Sequence, residues 1–185
     1  NEERQATIDF VLGLQNEDEG FRATPERGPS SLGATNSCLR ALKYLGAKAP
    51  GVTRFVFVCT DASGGFVDMP GTAPTVRTTA MGLMVCTETK NRLARDEPYL
   101  IREYFEKNAA SLPDIYIAAA ALEPAGLKVK TTADWIKAYE ATHNPDGTYG
   151  KTVADNAGAA ITILRLGGTL KNPAAVAASL KAAQK

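Results

Sequence analysis

Few residues in this chain of 185 could do chemistry, and the most suggestive of them stand at the starts of predicted helices. Asp114 and Asp155 each precede an apolar stretch rich in alanine. A carboxylate in that place ordinarily accepts backbone N–H bonds as an N-cap, which is the role we expect for both. The alternative is a ligand site where the helix starts converge. Unpaired N–H groups there favour anions such as a diphosphate, and the residues that would line the site are Arg77, Asp114, Asp155 and Asn156.

Basic side chains offer a second way to hold a phosphate. They fall in the segments that follow glycine–aromatic pairs, or at the ends of those segments, and we expect these segments on one face. Such side chains either bind an anion or remain solvated, and the sequence leaves both open. The residues are Arg22, Arg27, Arg77 and Lys151.

Metal chemistry has little support. The three cysteines, Cys38, Cys59 and Cys86, form no CxxC pair, and His143 is the single histidine. A closed zinc site usually needs about four such ligands at suitable spacing. We therefore predict no metal site and no cofactor, and we expect the cysteines to be buried as small apolar residues.

Charge and hydropathy argue against two classes of partner. With 21 basic and 20 acidic residues the net charge is +1, and no basic stripe with interleaved aromatic residues occurs, so we expect no nucleic-acid surface. No apolar run reaches the ~18 residues of a membrane-spanning helix, so we expect a soluble protein. The chain begins at Asn1 rather than Met, which fits removal of an upstream segment such as an export signal, while the compartment stays open.

A turn motif recurs along the chain, at 14–21, 59–66 and 143–150. Each copy joins a helix end to a short polar turn, a glycine and an aromatic residue. Phe66 follows Phe21 by 45 residues and Thr79 follows Thr35 by 44, so both parts of the unit recur in nearly one register. Recurrence at such a period is typical of repeat proteins, in which neighbouring units bury each other's apolar faces.

Each unit is predicted to form a helical hairpin. We predict one all-α domain over 1–185, with repeats at about 2–46, 50–90, 97–124 and 132–168 and a terminal helix at about 172–184. The third repeat lacks the glycine–aromatic turn. Segment 54–59 has a strand-like composition, but the repeat register predicts a helix there. Because the second helix of each hairpin is richer in small apolar residues, we expect it inside and the first helix outside.

The resemblance of this pattern to a known family rests on its leucine–glutamine, glycine–aromatic, threonine and leucine–glycine positions. These are Leu14, Gln15, Gly20, Phe21, Thr35, Leu42, Leu45 and Gly46 in the first repeat, Gly64, Gly65, Phe66, Thr79 and Leu83 in the second, and Asp146, Gly147, Tyr149, Gly150, Leu166 and Gly167 in the fourth. Over nearly its whole length the chain resembles the prenyltransferase/squalene-cyclase repeat of the α/α-toroid superfamily. The resemblance implies an α/α toroid or, with four hairpins and a terminal helix, a partial toroid. An open ring exposes the apolar flank of its end units, so we expect a homodimer or capping by the terminal helix.

The resemblance to this superfamily does not extend to its catalytic motifs. The chain has no DxDD acid motif of squalene cyclases, no Asp-x-Cys step of the prenyltransferase zinc site and no GCGEQ thioester stretch. Its acidic clusters, 17–19 and 96–97, lie in a turn and at a helix start, where acids are common. We therefore expect a non-catalytic repeat scaffold that binds a protein partner or a small ligand on its concave or central face. The alternative is an enzyme of isoprenoid diphosphates, similar to a protein prenyltransferase β-subunit or a terpene cyclase, and a third possibility is one part of a larger ring.

Overall fold

The computed structural model describes residues 2–90 and 97–184. Those residues are helical apart from turns, loops and isolated β-bridges, which confirms the all-α class. Asn1 and position 96 of the acidic pair 96–97 lie outside the described residues. The helices are α1 (Glu2–Leu12), α2 (Leu32–Tyr44), α3 (Thr53–Val58), α4 (Val76–Thr89), α5 (Glu97–Asn108), α6 (Leu112–Ala125), α7 (Thr132–Glu140), α8 (Val153–Arg165) and α9 (Pro173–Ala182).

Two compact units make up the chain, Asn1–Tyr104 and Phe105–Lys185. The third predicted repeat, 97–124, begins in the first unit and ends in the second. In the first unit α2 packs against α4, α1 lies against α2, and α3 lies against α4. In the second unit α6 packs against α8, α7 contacts both, and α9 packs on α8. Within each unit, therefore, the second helices of the hairpins are direct neighbours.

A hydroxyl side chain starts each second helix. Ser31, Thr75, Ser111 and Thr152 cap α2, α4, α6 and α8, and each accepts the backbone N–H three residues later. Because such a bond satisfies a donor that the helix itself leaves unpaired, the starts of these helices follow from local sequence.

The second helices also share one pattern of burial. Their fourth, seventh, eighth and eleventh residues are buried, a spacing that places them on one helix face. The seventh residue is always small, and in α4 it is a glycine whose Cβ, if present, would lie 2.3 Å from the Phe66 ring. These residues are Thr35, Cys38, Leu39 and Leu42 in α2, Thr79, Gly82, Leu83 and Cys86 in α4, Ile115, Ala118, Ala119 and Leu122 in α6, and Asn156, Ala159, Ala160 and Ile163 in α8.

The short helix α3 forms despite its strand-like composition, as the repeat register predicts. It buries Phe55 and Val56 but has no side-chain cap of its own. The preceding motif turn holds its first turn instead, because the Glu19 carboxylate accepts the Arg54 N–H at 2.9 Å and lies 3.5 Å from the Arg54 guanidinium. A carboxylate is favourable at a helix N-terminus. A tertiary contact thus stabilises a helix whose local preference is for a strand.

Candidate binding site

The three motif turns have one structure. In each, an antiparallel bridge joins the buried aromatic residue to the residue six positions before it, in the pairs Gln15–Phe21, Thr60–Phe66 and His143–Tyr149. The aromatic backbone N–H donates at 3.0 Å to a side-chain oxygen on the fourth residue of the next second helix. The acceptors are Thr35 Oγ1, Thr79 Oγ1 and Asn156 Oδ1. The turns therefore tie together the hairpins of the first, second and fourth repeats.

Asn156, a predicted ligand-binding residue, is one of these three acceptors. It is 1% exposed, and its carboxamide oxygen accepts the Tyr149 N–H. It stands where Thr35 and Thr79 stand in the first unit. Sequence reasoning missed the equivalence because the spacing between the aromatic and the acceptor falls from 14 and 13 residues to 7.

Asp114 and Asp155 start helices as expected, but not as N-caps. Each is the third helical residue, and the N-cap is the hydroxyl residue three positions earlier. Their carboxylates complete capping boxes: that of Asp155 accepts the Thr152 N–H at 2.9 Å and the Lys151 N–H at 3.0 Å. Bonding to Thr152 is the main cause that holds the pKa of Asp155 below its ordinary value of 3.8. The expectation of an N-cap was wrong because a nearby hydroxyl took that place.

The predicted basic residues belong to both units. Arg77 is exposed on the first turn of α4, in the first unit, whereas Asp114, Asp155 and Asn156 belong to the second. Arg22 braces its own turn, since its guanidinium donates to Asn16 Oδ1 at 3.1 Å and to the Gly13 carbonyl at 2.6 Å. Arg27 is exposed, and Lys151 lines a groove in the second unit.

The acidic cluster 17–19 serves the first motif turn. Asp18 Oδ1 accepts the Gly20 N–H at 2.9 Å and the Ser30 hydroxyl at 2.7 Å. Glu19 adopts the left-handed φ of 74°, and its carboxylate binds the start of α3. Gly64 and Gly147 take the same φ region at the corresponding places of the other turns. The cluster is thus part of the turn geometry.

A groove of about 690 Å³ opens beside the starts of α6 and α8. Its walls include the exposed apolar side chains of Tyr116 and Ile161, at 38% and 42% exposure. Tyr139 lies at the edge of the core, and its hydroxyl donates to the Leu112 carbonyl oxygen at 2.6 Å. Burial is the main cause that raises the pKa of Tyr139. The charged residues of the lining are Lys151 and Asp155.

Two sequence differences between the units account for this groove. In the first unit the segment 67–74 separates Phe66 from the α4 cap, whereas only 150–151 separate Tyr149 from the α8 cap. The sixth residue also differs, Met81 in α4 and Gly158 in α8. A Cβ on Gly158 would meet nothing within 4 Å, so the space above it is open.

The cysteines are buried thiols in the first unit. Burial, with the nearby carboxylates of Asp68 and Asp18, raises the pKa of Cys59 to about 12, and burial with Glu97 raises that of Cys86 to about 12. Such thiols stay protonated at neutral pH. Across residues 2–90 and 97–184, no cluster of three or more His, Cys, Asp or Glu side chains is arranged to hold a metal ion.

No protein-family model and no curated protein matches this sequence. In the part of the chain that the structure describes, no helix has both the length and the apolar character needed to cross a bilayer.

Proposed function

We propose that this chain is a non-catalytic repeat scaffold of the prenyltransferase/squalene-cyclase type, a partial α/α toroid that binds a protein partner or a small ligand. The α6–α8 groove is the binding surface. Repetition of the aromatic-to-fourth-residue bond and of the burial pattern supports the repeat assignment. The observation that carries the function is an open, mostly apolar groove with exposed Tyr116 and Ile161 walls. Concave apolar surfaces with a few polar groups are the usual form of binding sites.

The polar groups of the groove favour binding over acid–base chemistry. The Asp155 carboxylate is engaged in its capping box and its pKa is lowered, so at neutral pH it is ionised and holds no proton to donate. The Tyr139 hydroxyl donates to a backbone carbonyl, and its pKa is raised. Lys151 supplies a positive charge to the lining of the groove, and Asp155 supplies a negative one. A general acid or base needs a pKa near the working pH, and the pKa values of Asp155 and Tyr139 are both shifted away from neutral pH.

An enzyme or carrier of isoprenoid diphosphates is the second candidate. One observation favours it: the apolar groove carries Lys151, so a prenyl chain could lie along Tyr116 and Ile161 with its diphosphate on the lysine. A diphosphate carries several negative charges, which one lysine next to the Asp155 carboxylate does not balance. The charge arrangement therefore ranks this candidate below a neutral or peptide ligand.

The test uses the purified full chain and a substitution that fills the groove. The apolar dye anilinonaphthalene sulfonate should bind the parent, and Gly158→Met should weaken that binding, since a side chain there enters open space. Ala178→Met, on the exposed face of α9, is the matched control and should bind as the parent does. Equal dye binding by all three proteins would show that the groove is not a binding surface.

Farnesyl diphosphate separates the two candidates. A ligand at about a hundred times its dissociation constant stabilises by about 2.7 kcal/mol, which a thermal melt detects. Release of diphosphate from that compound, lost in Gly158→Met, would establish the enzyme and overturn the scaffold. Stabilisation without turnover would identify an isoprenoid carrier. The mass in solution of the same samples tests the expectation of a homodimer against the alternative, capping by the terminal helix.

A further inference from the structure

We infer that the α6–α8 groove takes a short peptide segment of a partner, in which an apolar residue is followed by an acidic one. The inference rests on the proposed binding function of the groove. It follows from what fills the corresponding place in the first unit, where the chain supplies such a segment from its own sequence.

In the first unit the segment 67–74 lies on the start of α2. The Asp68 carbonyl oxygen accepts the Leu32 N–H at 2.8 Å, and its carboxylate accepts the Gly33 N–H at 2.8 Å. The preceding residue, Val67, is only 6% exposed. Met81 adds to the filling, since its sulfur lies 3.9 Å from the place of a Cβ on Gly33. An apolar residue, an acidic side chain and a backbone carbonyl thus close this place.

The second unit keeps the surroundings but lacks the filling. Leu112 and Pro113 stand where Leu32 and Gly33 stand, as the first and second residues of the helix. Both line the groove. Only Gly150 and Lys151 remain of the connecting segment, and Lys151 follows the motif aromatic by two residues, as Asp68 does in the first unit.

These replacements define the chemistry of the occupant. A partner carbonyl would accept the Leu112 N–H as the Asp68 carbonyl accepts that of Leu32. The partner's apolar side chain would lie above Gly158, between Tyr116 and Ile161. Because Pro113 has no N–H to donate, the acidic side chain would bind the Lys151 ammonium instead of the helix start. A charge-assisted bond of this kind also fixes the register of an otherwise apolar contact.

The experiment uses the end-capped, fluorescently labelled peptide of residues 66–74, whose sequence is FVDMPGTAP, and measures its anisotropy with the full chain. Saturable binding is expected to the parent and to Ala178→Met. Lys151→Ala, or an Asp68→Asn change in the peptide, should weaken binding by about tenfold. Gly158→Met should weaken it by a similar factor, because it occupies the place of the apolar side chain.

The outcomes separate this inference from the proposed function. If Gly158→Met lowers dye binding but the peptide binds no better than a scrambled sequence, the groove is a binding surface and the peptide inference is wrong. If the peptide binds equally to the parent and Lys151→Ala, the acidic requirement is wrong. If neither dye nor peptide binding responds to Gly158→Met, both proposals fall. Lys151 is exposed and Gly158 faces open space, so both variants should fold, which far-ultraviolet circular dichroism checks.

Discussion

Replacing Thr35 by valine tests the bond that holds the motif turns to their helices. The Thr35 hydroxyl accepts the Phe21 N–H at 3.0 Å and donates to the Ser31 carbonyl at 2.8 Å. Valine has nearly the same shape but no oxygen. The Ser31 carbonyl keeps the Thr35 N–H at 2.9 Å, so it stays satisfied. The Phe21 N–H loses its acceptor.

The size of the effect follows from burial. Phe21 and Thr35 are both 0% exposed, so water cannot replace the missing oxygen without opening the turn. A buried donor left without a partner costs about 1–3 kcal/mol, and complete burial favours the upper half of that range. In a protein of this length each kcal/mol lowers the melting temperature by about 2–4 °C.

Denaturant unfolding and amide hydrogen exchange measure the effect. We expect a lower midpoint for Thr35→Val and faster exchange of the Phe21 amide. Thr87→Val is the matched control, because the Thr87 hydroxyl donates to the Leu83 carbonyl within α4, and no N–H of the described residues donates to it. A Thr35→Val protein that unfolds like the parent, with the Phe21 amide still protected, would refute the role given to this bond. Asn156→Thr should retain stability, since threonine is the acceptor in the other two copies.

Three further predictions concern packing, thiols and acid. Gly82→Ala should lower the free energy of unfolding by about 1–2 kcal/mol, because the added Cβ would overlap the buried Phe66 ring. The cost of this overlap exceeds the gain in helix propensity from alanine. Cys59 and Cys86 should react with a thiol reagent at neutral pH only when the chain is unfolded, since burial and raised pKa values keep them protonated and covered. The capping contribution of Asp155 should be fully present above its ordinary pKa of 3.8 and lost as pH falls through its lower folded pKa, which melts of the parent and of Asp155→Asn across that range would show.

Each of these predictions has either a control variant or a result that would contradict it. Gly28→Ala should leave stability almost unchanged, because a Cβ there meets nothing within 4 Å. Rapid labelling of the native cysteines would contradict their burial. For Asp155→Asn, a stability difference from the parent that stays constant as the pH falls would show that the carboxylate charge is not what the cap uses.

Local signals in the sequence predicted much of the fold. The third predicted repeat and α5 both begin at Glu97. The expected caps of α6 and α8, Asp114 and Asp155, were wrong, since Ser111 and Thr152 cap these helices. Such features depend on propensity, capping and periodicity, which act over a few residues. The helix α3 came from the repeat register, since composition alone favours a strand and the contact with Glu19 is tertiary.

The candidate site was harder to predict. Asp155 does line a groove, but Arg77 belongs to the other unit and the Asn156 oxygen is used inside the fold. The groove itself comes from a short connection and a glycine at Gly158, both visible in the sequence only once the second helices are aligned by their caps. The number of residues between the motif aromatic and the second helix differs between the units, so counting from the aromatic residue does not align these helices.

By itself, then, the sequence determined the helical class, the recurring turn and the caps, because each depends on interactions between residues close in the chain. Tertiary structure alone decided which polar residues are available to a ligand. The packing of other segments decides whether a side chain such as Asn156 already has a hydrogen-bond partner, here the Tyr149 N–H. It also decides whether a space such as that above Gly158 stays open. Burial and pairing are properties of those packed surroundings, and no local pattern specifies them.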